Sequence, residues 1–279
     1  MLTQLLSQLL TQLPAQLPNH LLKHLPARVQ RLLARHVPAA LPDRPRPGMR
    51  HALSRRIATL TQLARMPIAH LHFERAIEPD NVPATYRLYT QPHPKYKLIQ
   101  FKSWGAALID LAQCASRDAY LERIKGKNNG AWHARRARMR GYVLAEINRD
   151  EHVDAIHAIN TSVDQRQGRP MDDKYLEKQF RFEKLANFQY YGVFSADGKL
   201  VAYATLGYYG NFSAFSQLMG YRNNDGAMHL MVSDIIGLLI DQGRVRYVMY
   251  DTFFGALPGL RQFKTVLGFQ PFRAKYRLQ

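Results

Sequence analysis

The chain has 279 residues and 46% apolar content, enough for one large domain or for a domain with an extension. Its single cysteine, Cys114, excludes an intramolecular disulfide and a cysteine metal cluster. No stretch approaches the roughly 18 consecutive apolar residues of a spanning helix, so the chain is expected to be cytoplasmic, or peripheral at a membrane surface. A net charge of +18 favours an acidic partner: nucleic acid, an anionic membrane or a phosphate-bearing small molecule.

Residues 1–66 read as a basic extension patterned in leucine and proline. Leu13, Leu17, Leu21, Leu25, Val29, Leu33, Val37 and Leu41 recur at intervals of four, while Pro14, Pro18, Pro26, Pro38 and Pro42 interrupt the same phase and exclude one long helix. Short amphipathic helices are expected near 2–13 and 27–37, with Arg28, Arg31 and Arg35 opposite the apolar face, suited to an anionic membrane surface or a partner helix. The stretch is also arginine-rich and acid-poor in the manner of an organellar targeting sequence. The bland alternatives are an extension without a role, or residues ahead of a true start at Met49 or Met66. Residues 1–73 hold ten Lys and Arg against one acid, Asp43, and "LPDRPRPG" (41–48) is the clearest linker.

Residues 67–140 form a mixed α/β region expected to pack on the main domain. "YKLIQF" (96–101) reads as a strand, and "ALIDLAQCASRDAYLERIKGK" (107–127) as one or two helices. "WHARRARMRGY" (132–142) is strongly basic with flanking aromatics, a pattern that fits nucleic acid or, more commonly, a solvated helix face.

Residues 141–279 are regular. "YVLAEI" is a strand, and "RDEHVDAIHAIN" is a helix with acids in its first turn, where the macrodipole favours them. A polar stretch leads to a second helix expected near 174–185. Three strands follow, joined by Ala-Asp-Gly-Lys and Gly-Asn turns. In the next helix Met228, Met231, Val232, Ile235, Ile236 and Leu239 mark one buried face, and Gly243 fits a left-handed cap. The polar turn before it, Arg-Asn-Asn-Asp-Gly, has two readings: Asp225 caps the helix, or the free N–H groups cradle an anion such as a pyrophosphate. A strand (245–251), a short helix "GLRQFKTVLGF" (259–269) and a last strand "FRAKYRL" complete the order β-α-α-β-β-β-α-β-α-β.

That order, with a polar glycine turn between the fourth strand and a long helix, resembles the Gcn5-related N-acyltransferase (GNAT) superfamily over residues 141–279. The resemblance implies a mixed sheet flanked by helices and an acyl-CoA pyrophosphate on the turn, where the usual pattern is Gln/Arg-x-x-Gly-x-Gly/Ala. Here Arg222 to Ala227 keep the arginine and the alanine, but Asp225 replaces the first glycine. The helix, the following strand and Gly-Leu-x-x-Phe-Lys also resemble the Fem-type branch, which takes aminoacyl groups from tRNA; there the lysine lies near the transferred carbonyl, and its match is Lys264. The implied activity is transfer of an acyl or aminoacyl group from a CoA-type or tRNA donor to an amine. The alternative is a catalytically silent fold of this type that binds anionic lipid or nucleic acid.

The expected donor site comprises Arg222, Asn223, Asn224, Gly226 and Ala227. Asp251, at the end of the fifth strand, is expected to orient or deprotonate the amine, or else to cap a turn. Tyr250 and Tyr208 are candidates to protonate a leaving group, and Lys264 to act near a carbonyl or phosphate. Arg166, Gln167 and Arg169, in the loop between the first two helices, are expected to touch the acceptor. The eleven histidines show no metal-ligand spacing, and no metal is expected.

Overall fold

In the computed structural model of this chain, the described residues are 66–95, 97–166, 169–223 and 225–279. The extension, apart from Met66, lies outside them, as do Gln167 and Asn224. Residues 66–91 and 100–279 make one compact unit. Within 92–99 the His93 N–H bonds the Ile99 carbonyl (2.8 Å), so the chain turns back where a strand is expected.

Eight strands form one mixed sheet. They are β1 (Ile68–Phe73), β2 (Trp104–Asp110), β3 (Val143–Glu146), β6 (Phe188–Phe194), β7 (Leu200–Tyr208), β8 (Phe212–Gly220), β9 (Tyr247–Thr252) and β10 (Gln270–Leu278), in the order β1-β10-β2-β9-β8-β7-β6-β3. A two-residue pair, β4 (Gln165–Arg166) with β5 (Arg169–Pro170), stands apart. The helices are α1 (Asn81–Thr90), α2 (Arg117–Arg123), α3 (Gly130–Met139), α4 (Val153–Asn160), α5 (Asp173–Leu176), α6 (Ala227–Gln242) and α7 (Pro258–Val266). From residue 141 onward the element order is the expected one, except that the short β4–β5 pair is inserted between the first two helices.

Three expectations need correction. The apolar run 104–110 is strand β2, not helix. It is buried along its whole length, and such a run has no period that separates a central strand from a buried helix. It lies between β9 and β10, so residues 67–140 share the sheet of the main domain rather than packing on it. The second helix stops after one turn, at Leu176. Leu176 and Phe180, which would share a helical face, are 46% and 78% exposed and find no core to cover. Side chains hold the backbone there instead: Asp150 accepts from the Phe182 N–H (2.8 Å), and Arg149 donates to the Glu183 carbonyl (2.5 Å).

The α6 periodicity is realised. Met231, Val232, Ile235, Ile236 and Leu239 are buried at 0–1% exposure, and Gly243 ends the helix in the left-handed region (φ 61°). α2 and α3 cover the other side of α6, which explains why Ser233 and Asp234 are buried as well. Asp234 is the fastener, pairing with Arg117 (2.7 Å) and Arg138. The opposite sheet face packs on α1 around Phe73, whose ring meets Tyr86, Tyr89, Tyr209, Phe212 and Tyr276.

Candidate active site

β8 and β9 run parallel but pair only through Phe212–Ala214 and Tyr247–Met249. The reason lies on the other edge of β8. Leu206 faces Phe215 and Thr205 faces Gln217, which leaves Ser216 as a bulge. A bulge bends its strand and shifts side-chain parity by one. Phe212 and Ala214 therefore point to the α1 side with Met219, whereas Phe215 and Leu218 point to the α6 side. β8 then parts from β9, and a cavity of about 530 Å³ opens between them, a size that suits a small-molecule substrate.

Leu218, Met219 and Gly220 of β8 form one wall of this cavity and Tyr250 of β9 the other. Met228 and His229 come from the first turn of α6, Leu260 and Phe263 from α7, and Ile159, Val163, Arg166 and Met171 from α4 and the segment after it. Tyr221, Arg222, Asn223, Asp225 and Gly226 complete the lining.

The turn before α6 has a definite occupant. Asp225, 8% exposed, accepts the Ala227 N–H on Oδ1 (3.0 Å) and the Tyr142 hydroxyl on Oδ2 (2.6 Å). That hydrogen bond pushes the Tyr142 phenol above its ordinary value. The N-cap position itself is Gly226, which has no side-chain cap, and Asp225 stands one residue before it; its carboxylate meets the first helical N–H, at the helix N-terminus where an anion would be cradled. Gly226 sits at φ 93°. A Cβ there would come inside 3.0 Å of the His133 carbonyl oxygen on α3, so the packing of α3 by itself requires glycine.

Tyr250 is the expected residue that reaches the cavity from β9. Its ring meets Phe215, Phe263 and Phe269 edge-on, and burial pushes its phenol up to about 12. Strand alternation sends the neighbouring Asp251 elsewhere: Val248 and Tyr250 pack on the α6 side, Tyr247 and Met249 on the α1 side. Asp251 has a left-handed backbone (φ 54°), is ion-paired with Lys102 and does not line the cavity. Tyr208 is also remote, because its hydroxyl donates to Gln189 (2.6 Å) and approaches Gln242 at the far end of α6. That is roughly 20 Å along the helix from His229. Arg169 is exposed and pairs with Asp172 (3.6 Å), outside the lining.

Lys264 is 0% exposed and lies behind the wall. Its Nζ donates to the Thr252 carbonyl (2.7 Å) and sits 4.8 Å from the centre of the Tyr250 ring. Burial lowers its value from 10.5 to about 8. The unfolded chain therefore binds this proton more tightly between about pH 8 and 10.5, and the lysine's contribution makes stability rise with pH across that window. Replacing Lys264 with methionine is expected to remove that part of the rise. Urea unfolding of both proteins at pH 7.5, 9 and 10.5 checks it, and parallel pH slopes would refute the assignment.

Two residues not anticipated from the sequence complete the site. His229 stacks on His133 (4.3 Å between centroids, 20°) and meets Phe263 edge-on (4.8 Å). Burial, helped by His133, lowers its value to about 4, so it is a neutral imidazole at neutral pH. Tyr142, the partner of Asp225, is the other. A histidine in the first helical turn after the glycine was a readable signal for His229. The Tyr142 contact spans 83 residues and has no local signature.

Among the described residues no helix is long and apolar enough to cross a membrane, and no group of three or more His, Cys, Asp or Glu could hold a metal ion. No protein-family model matches the chain, and no curated protein matches it significantly. Solved structures similar to it include FemX (11% identity, TM-score 0.46), covering 60% of this chain and 59% of that one. L-PGS from Bacillus licheniformis is similar at 14% identity and TM-score 0.39, over 61% of this chain and 59% of that one. A tandem GNAT protein from the clavulanic acid biosynthesis pathway is similar at 16% identity and TM-score 0.38, over 84% and 70% respectively. The chain thus spans 59% of the length of FemX and of L-PGS.

Proposed function

We propose that this protein transfers an acyl or aminoacyl group from an oxygen ester to an amine in the cavity between β8 and β9. The observation that carries the reading is Tyr250, a phenol kept protonated by burial in an apolar cavity where two parallel strands part. The amine nitrogen attacks the ester carbonyl, the carbon–oxygen bond breaks, and the Tyr250 hydroxyl gives its proton to the departing alkoxide. The phenolate recovers a proton as the attacking amine releases one. A phenol near 12 is matched to an alkoxide, which is a stronger base, and contributes little to a thiolate leaving group, whose ordinary value is about 8.5.

The Asp225 carboxylate supports the same choice of donor. It occupies the helix N-terminus where the pyrophosphate of an acyl-CoA would rest, and it would repel that group. An ester carried on the end of a nucleic acid, as in an aminoacyl-tRNA, needs no diphosphate at this point and suits the chain's net charge of +18.

The test offers the protein a panel of amines with an aminoacyl ester of a short RNA end or with acyl-CoA, and looks for the amide by mass spectrometry. Amide is expected from the ester and not from acyl-CoA. In Asp225→Gly, acyl-CoA is expected to raise the melting temperature, which it should not do in the wild-type chain. Turnover of acyl-CoA as fast as the ester would overturn the donor assignment. No amide from either donor would leave the silent binding module as the better reading.

A further inference from the structure

Two guanidinium groups at the rim of the cavity lack an acidic partner. Half-buried Arg166 and exposed Arg222 both line it, and neither forms an ion pair among the described residues. Arg149 also holds a backbone carbonyl and aromatic rings without an acid, but it lies outside the cavity; Arg117 and Arg138 share Asp234, and Arg246 takes Asp110 (3.1 Å). Arg166 instead donates to the Leu218 carbonyl (3.2 Å) and lies over the Tyr175 ring (5.3 Å). Arg222 donates to the carbonyl of Gln165 (2.7 Å), the residue just before Arg166. The two guanidiniums are therefore tied to one short stretch of chain. Each spends one donor on a backbone carbonyl and keeps the others, out of five, for something else. The one acid in the lining, Asp225, has both oxygens engaged by Ala227 and Tyr142.

Ile159, Val163, Met171, Leu218 and Leu260 give the cavity apolar walls beside the two guanidiniums. A fixed, planar guanidinium beside such walls matches an oxyanion attached to a hydrocarbon body, because two N–H groups can meet two oxygens at once. We infer that Arg166 and Arg222 form a clamp for a carboxylate or phosphate on the substrate, whose apolar part lies against Ile159, Val163 and Leu260. The inference rests on the transfer reading only for calling this occupant a substrate; the binding itself requires no turnover.

Calorimetric titration of the full chain with octanoate, octyl phosphate and octanol tests it directly. At least one anion is expected to bind ten-fold or more tighter than octanol. The tighter of the two identifies the group as a carboxylate or a phosphate. Arg166→Gln with Arg222→Gln should erase that margin, while Arg135→Ala with Arg140→Ala, which removes an equal charge on and just after α3 away from the cavity, should keep it. Gln at 166 retains a donor for the Leu218 carbonyl; if the double variant nevertheless melts lower, the exposed Arg222→Gln alone decides. Octanol binding as tightly as the anions, a margin that survives in the variant, or no binding at all would overturn the clamp. Equal acylation of amines with and without an oxyanion would overturn it and leave the transfer reading standing. A preserved anion margin with no turnover would do the reverse.

Discussion

Valine in place of Gly226 is expected to unfold the α3–α6 junction rather than to remove donor binding selectively. A non-glycine residue in the left-handed region costs roughly 1–2 kcal/mol. Here the added Cβ also drives into the backbone carbonyl of His133, which cannot swing aside as a flexible side chain would. Overpacking of that kind typically adds about 1–3 kcal/mol. For a unit of this size the sum corresponds to a fall in melting temperature on the order of 10 °C. Alanine introduces the same Cβ, so Gly226→Ala should lose most of what valine loses. Differential scanning calorimetry of the three proteins measures this, and a valine variant that melts with the wild type would show that α3 does not need glycine there.

Tyr250→Phe is expected to keep the fold and lose the chemistry. The substituted ring still meets Phe215, Phe263 and Phe269, and the lost hydroxyl makes no hydrogen bond among the described residues. If that hydroxyl protonates the leaving alkoxide, turnover should fall by about 10²–10⁴. The loss should appear in kcat rather than KM, since the proton moves only as the bond breaks. A donor with a more acidic leaving alcohol should narrow the gap between the two proteins. Single-turnover rates with two esters of different leaving-group acidity make the comparison, and a variant as fast as wild type on both would remove Tyr250 from the mechanism.

What could be read from the sequence depended on whether the cause was local. α6 was legible because its apolar period, its preceding polar turn and its terminal glycine are written in consecutive residues. The two hairpin turns at Asp197-Gly198 and Gly210-Asn211 were legible for the same reason. β2 was not, because a strand buried on both faces carries no alternation. The choice between Tyr250 and Asp251 illustrates a finer limit. Adjacent strand residues point to opposite faces, and which one meets the cleft is fixed by where β9 sits between β2 and β8. Asp225 is the odd residue of its turn, and the sequence by itself leaves both readings of that turn open. The Tyr142 hydroxyl that holds it in place belongs to a distant stretch. Arg166 and Arg222 are each legible as polar loop residues, but the attachment of Arg222 to Gln165, next to Arg166, emerges only in the fold.

The position of β2 in the sheet also governs how the chain assembles as it is made. β2 leaves the ribosome well before its hydrogen-bonding neighbours β9 and β10, which follow about 140 and 165 residues later. β1 waits for the same last strand. The stretch from β3 to β8 can form hairpins with itself as it emerges, while the 104–110 run has no strand partner until about 140 further residues have been made. Contact order is raised by these two strands in particular, and pairings over such distances form slowly. Through that interval the nascent chain carries an unpaired β segment that is apolar up to its terminal Asp110, the kind of surface that holdase chaperones shield and that aggregates when they are scarce.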